Sequence, residues 1–201
     1  MNATRYEFQV NVFPEQLEES ALCLLHTILF HRTTGKFKYQ KKGEFLIGTL
    51  GYQDVHCQTI NLTYVKTESA ELHTCLLENV RQFVQQYNSG NKTLTLEFFQ
   101  KKRGRWPFSS EEPVPWEVWA ITFVEPSQNS KETPAESVVT NMVSIAEKIN
   151  NSNSFLPKTP NQSDLGLVYE CNFCDVQPYL FRCQYQGQMS TLKKLFKDVS
   201  L

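Results

Sequence analysis

With 201 residues, 40% of them apolar and 12% aromatic, the chain can bury a substantial core, which excludes a disordered polypeptide and favours one domain, 1–201, over two. Twenty basic residues against twenty-one acidic ones give a formal charge of -1, so no global field draws the protein to nucleic acid or an anionic membrane. The N-terminus has no apolar run behind a basic start, and no stretch approaches the roughly 18 apolar residues of a membrane span, so a soluble, intracellular protein with six reduced cysteines is expected.

Phe8, Val10 and Val12 alternate with polar neighbours and predict a strand over Tyr6 to Val12. Pro14 then opens a helix with Glu15, Glu18 and Glu19 near its positive end, and Leu17, Ala21, Leu24, Leu25 and Ile28 carry it to about His31. Phe45 to Leu50 and Thr59 to Val65 have strand character and are expected to be sheet neighbours. Leu72, Leu76, Val80, Phe83 and Tyr87 form one helical stripe, stopped by Asn88-Ser89-Gly90-Asn91.

Leu94, Leu96 and Phe98 begin a strand that runs into KKRGRWPF, with Trp116 to Val124 as its partner and a long hairpin loop, about 101–115, between them. Thr133-Pro134-Ala135-Glu136 has capping-box spacing, followed by Val138, Met142, Ile145 and Ile149 on one helical face. Beyond the extended connector at Pro157 and Pro160, Leu167 to Phe173 and Tyr179 to Tyr185 predict a last pair of strands in a C-terminal segment, about 155–201. A short amphipathic tail helix follows, with Leu192, Leu195, Phe196 and Val199 on one side. The class is α+β.

Catalytic and metal signals are weak. Cys171-Asn172-Phe173-Cys174 has the spacing of a zinc knuckle or redox pair, with Cys183 nine residues on, but no histidine lies near and a strand there would point the two thiols apart. His26 and His31 differ by about 140° around their helix and cannot easily share a metal. His56 and His73 show no nucleophile in a recognisable arrangement, and no glycine-rich phosphate loop occurs. No catalytic residue, metal site or cofactor is therefore assigned.

The loop is more informative. Lys101, Lys102, Arg103 and Arg105 precede Trp106 and Phe108, a mixture found at single-strand nucleic-acid and lipid-headgroup sites, although four cations in a loop are also simply a solvated face. Pro107 restricts Trp106 to extended geometry, and Arg105 and Ser109 to Glu112 frame the two aromatics with polar groups. Trp106 and Phe108 thus form a candidate binding hot spot, each able to bury about 150–250 Å² against a partner. Trp116 and Trp119, on the returning strand, are expected to be structural.

The blocks FHRTTGKF, IGTLGYQDV, QKKRGRWPFSSEEPVPWEVW, FLPKTPNQSDL and DVQPYLF, in that order over nearly the whole chain, resemble the autophagy-related protein 101 family, small HORMA-domain subunits of the autophagy-initiation kinase complex. The resemblance implies a HORMA-like fold, an antiparallel sheet backed by three helices, and no catalytic activity. It implies pairing with the HORMA domain of autophagy-related protein 13, which it stabilises, and a Trp-Phe finger, here Trp106, Pro107 and Phe108, that recruits downstream autophagy factors. His31 and Arg32, within FHRTTGKF, are the candidate partner-facing residues, with a helix C-terminal cap as the plainer role. A cytoplasmic protein that joins the preautophagosomal structure when autophagy is induced is the corresponding expectation. The alternative from another class is a membrane-surface or phosphoinositide-binding module that uses KKRGRW.

Overall fold

Three helices form where apolar residues recur at helical spacing in the computed structural model, which describes residues 3–40, 44–87, 90, 92–103, 111–128, 130–151 and 155–185. They are α1 (Leu17–Phe30), preceded by a 3-10 turn over Pro14–Gln16, α2 (Ala70–Tyr87) and α3 (Pro134–Asn150). The strands are β1 (Thr4–Asn11), β2 (Thr33–Gly35), β3 (Phe37–Tyr39), β4 (Phe45–Ile47), β5 (Tyr52–Cys57), β6 (Leu62–Thr67), β7 (Thr93–Lys102), β8 (Glu112–Val124), β9 (Val176–Pro178) and β10 (Phe181–Gln184). The result is α+β and consistent with a HORMA-like fold.

The five α2 residues expected on one stripe are all buried. Around α1 the burial is wider: Ser20, Leu22, Cys23, His26 and Leu29 join the expected apolar positions, because α1 touches α2, α3 and β6 and has almost no solvent face. In α3, Thr133 Oγ1 accepts the Glu136 N–H at 3.2 Å and the Glu136 carboxylate accepts the Thr133 N–H at 2.8 Å, satisfying two otherwise orphaned donors. Thr133→Ala should therefore lower stability by about 1 kcal/mol, while Thr133→Ser leaves it nearly unchanged, measured as thermal midpoints of the two variants.

The main sheet has the order β1-β8-β7-β10. It is mixed rather than wholly antiparallel, because β1 runs parallel to β8, with Thr4 opposite Glu117 and Asn11 opposite Val124. A parallel pair needs a long crossover, and residues 12–111 of the chain separate these two strands. The outer edge of β1 is covered by α3 and its lead-in: Ser137 Oγ accepts the Asn11 N–H at 3.0 Å and Asn141 donates to the Gln9 carbonyl at 3.0 Å. Such cover blunts an edge that would otherwise invite pairing.

Other expectations are corrected. β4 pairs with β3 and β6 with β5, so the two stretches expected as neighbours sit in separate ribbons. Asn61, at φ 47°, closes a turn where the strand had been expected to run, and β6 begins only at Leu62. Leu167 to Phe173 is not a strand: a 3-10 helix spans Gln162–Leu167, and Tyr169 makes a single bridge to Tyr179. Gly35 passes so close to the Gly48 carbonyl that any Cβ would collide with it, which fixes glycine in β2. The expected tail helix lies outside the described residues.

Candidate functional site

The β7–β8 hairpin is the pedestal of the aromatic loop. Lys101 pairs with Pro113 and Lys102 with Glu112, so the ladder reaches further than the sequence implied and takes in two prolines expected in the loop. They are tolerated because β1 begins opposite Glu117, so among the described residues no second strand pairs with residues 112–116 of β8, and an edge position needs no N–H. The register shifts between Phe98 and Phe99, just before the proline-bearing end.

The tryptophans divide as expected where they are described. Trp119 is fully buried, its ring 4.3 Å from that of Tyr6 and 5.8 Å from that of Phe8. Trp116 is 4% exposed and packs on Phe98, Tyr179 and Phe155 with centroids 5.5, 5.3 and 6.4 Å away. Arg105, Trp106, Pro107 and Phe108 lie outside the described residues.

Of the basic residues at the base of this loop, Lys101 sits 3.3 Å from the Glu111 carboxylate. Arg103 donates to Asp164 Oδ1 at 2.6 Å and to the Ser163 carbonyl at 3.4 Å, so it ties the hairpin to the 3-10 helix. Lys102 is exposed. Two of the three described cations are thus already paired with protein acceptors, which lowers the positive potential available to a lipid headgroup.

His31 and Arg32 part company. His31 is exposed just past α1. Arg32 is buried: it is 3% exposed, and its Nε and Nη2 donate to the two oxygens of Glu117, each at 2.8 Å, while Nη1 reaches the His31 carbonyl. Its own carbonyl accepts the Tyr179 N–H at 3.0 Å, so one residue joins α1, β8 and the C-terminal segment. A guanidinium so placed is spent on the fold, because its planar fork is matched by a buried carboxylate.

Exposed apolar side chains gather instead on the small ribbons. Phe45, Leu46 and Ile47 of β4 are all exposed, as are Tyr52 at the start of β5 and Val65 of β6. Three consecutive exposed apolar residues in a strand place apolar groups on both of its faces. Val139 and Val143, one helical turn apart on α3, are also exposed. Composition alone did not single these out; the signal present was the unbroken apolar run FLI, which has no polar alternation.

The cysteines are free thiols, with Cys171 and Cys174 exposed and Cys183 buried. They do not form a common site. Cys171 Sγ accepts from Gln177 Nε2, whereas Cys174 lies with Glu71 and Asp175, whose ligand atoms are all within 4.8 Å of one another. The Cys174 thiol is pushed above its ordinary range, first by its hydrogen bond to Glu71, the opposite of an activated thiolate. The histidines contain a pair that sequence reading missed: His26 and His73, 47 residues apart, bring Nε2 and Nδ1 to 3.0 Å.

Comparison with known proteins gives one consistent family. The family model described as autophagy-related protein 101 matches residues 9–163. Curated proteins of that name from Xenopus tropicalis and Homo sapiens are 39% identical over 98% of both this chain and their own. One from Arabidopsis thaliana is 26% identical over 58% of this chain and 49% of its own.

Proposed function

The chain belongs to the autophagy-related protein 101 family, and from that premise we propose that it is a non-enzymatic adaptor of autophagosome formation. In this reading it pairs with and stabilises the HORMA domain of autophagy-related protein 13 within the initiation kinase complex. It then presents Trp106 and Phe108 to downstream factors, acting in the cytoplasm and at the preautophagosomal structure. The observation that carries the reading is the ladder itself. β7 and β8 remain paired out to Lys102 and Glu112, and the core takes up Trp116 and Trp119; this supports reading Trp106 and Phe108, which fall between those strand ends in the sequence, as the aromatics offered to a partner. The exposed apolar residues of β4 and β5 offer a second, separate face for the HORMA partner.

The testing experiment is co-purification of the full chain with the partner HORMA domain, native against Trp106→Ala with Phe108→Ala. Heterodimer yield should be unchanged and capture of later autophagy factors lost, since aromatic anchors carry more than 2 kcal/mol each at a hot spot. Loss of the HORMA partner, or unfolding, would show that the two side chains belong to the core. The membrane alternative is separated by salt: headgroup binding led by Lys102 and Arg105 should fall steeply as ionic strength rises, while aromatic docking should persist.

A further inference from the structure

Three nitrogen bases meet where α1, α2 and β6 pack. His26 of α1 is 1% exposed; its Nε2 lies 3.0 Å from Nδ1 of His73 on α2, with the rings stacked at 5.3 Å. From β6, Tyr64 stacks on His26 at 5.9 Å, and Lys66, 9% exposed, forms no ion pair with any described residue. Tyr64 in turn faces Cys23 of α1, Cys57 of β5 and Glu19 of α1. The Glu19 carboxylate is already committed to the N–H groups of Gln58 and Thr59 and to the Thr59 hydroxyl. Among the described residues, no carboxylate is therefore in place to compensate a proton added to the histidine pair.

We propose that this junction is a proton-sensitive latch, in which neutral imidazoles hold β6 and its ribbon partner β5 against α1 and α2, and acidification releases them. A contact at 3.0 Å between ring nitrogens needs one N–H and one lone pair, which two neutral rings supply. A first added proton puts a charge into a buried site beside Lys66; a second removes the accepting lone pair and breaks the bond. Burial first, then His73 and Lys66, hold His26 down to about 3, and burial and Lys66 lower His73 as well.

The unfolded chain takes up these protons near the ordinary histidine value and the folded chain resists, so the stabilisation is complete above about pH 6.5 and is lost as pH falls toward 3. Between pH 7 and pH 5, His26 alone should lower the folded-to-unfolded ratio about 25-fold. The latch rests on packing and is independent of the adaptor reading.

The test is carried out on the full chain by NMR. Ring resonances of His26 should remain those of neutral imidazole at pH 5.5, and those of His73 should change only below the pH at which an ordinary imidazole does. Amide exchange, corrected for the intrinsic rate, should show protection in β6 falling at least tenfold from pH 7 to pH 5 and lying below that of β7 and β8 at pH 5. His73→Gln should shrink that fall. Titration of both rings near pH 6.5 in the folded protein overturns the proposal, as does protection in β6 equal to that of β7–β8 at pH 5, which would mean that β6 opens only with the whole fold; neither readout needs the variant to fold.

Discussion

Arg32→Met is expected to lower the unfolding free energy by about 3–5 kcal/mol, because it leaves the Glu117 carboxylate, 1% exposed, buried without its partner. Set against the 5–15 kcal/mol typical of a folded domain, this is a large fraction of the total. Arg32→Lys should recover little: it keeps the charge but loses the fork that holds both carboxylate oxygens at 2.8 Å. Arg32→Met with Glu117→Leu should regain most of the loss, since the uncompensated charge is then gone. Urea unfolding followed by circular dichroism measures all three. If Arg32→Met leaves the urea midpoint in place and yet abolishes HORMA-partner binding, the residue faces that partner after all, and the burial argument fails.

The position of Arg32 also shows what the sequence could and could not convey. FHRTTGKF places a cation at a helix end, and a helix C-terminus attracts cations whether they are buried or exposed. What decides the matter is Glu117, 85 positions away, and no local pattern connects the two. The same limit applies to His26 with His73 and to the parallel pairing of β1 with β8, all of them products of tertiary packing. Periodic signals were read well: the α2 stripe and the α3 capping box were both legible because each depends on residues within one or two turns. Leu167 to Phe173 misled because Val168 and Tyr169 are buried without a ladder, Tyr169 stacking on Tyr179 at 4.6 Å instead. Short ribbons such as β3, three residues long, carry too little pattern to be found. In the candidate site, the pairing of Arg103 with Asp164 was not legible, because the two lie 61 positions apart.

Trp119→Ala is the second large effect, and it separates the two halves of the aromatic stretch. Trp119 has no solvent exposure, stands on the core face of β8 with Ile121 and Phe123, and fills the space against Tyr6 and Phe8 on β1. Truncation leaves a cavity the size of an indole between two paired strands that cannot close it, so a loss of about 3–5 kcal/mol is expected. For a chain of this size that is roughly 10 °C in thermal midpoint. Trp119→Phe should lose much less, because it keeps most of the ring and removes an indole N–H that meets no acceptor among the described residues. Trp106→Ala should leave the midpoint within about 1 kcal/mol of the native value if its ring serves a partner rather than the core. The contrast is decisive in one melting series: a Trp106→Ala chain that melts as early as Trp119→Ala would mean that both rings are core and that the loop is a structural plug, whereas widely separated midpoints leave Trp106 free to bind.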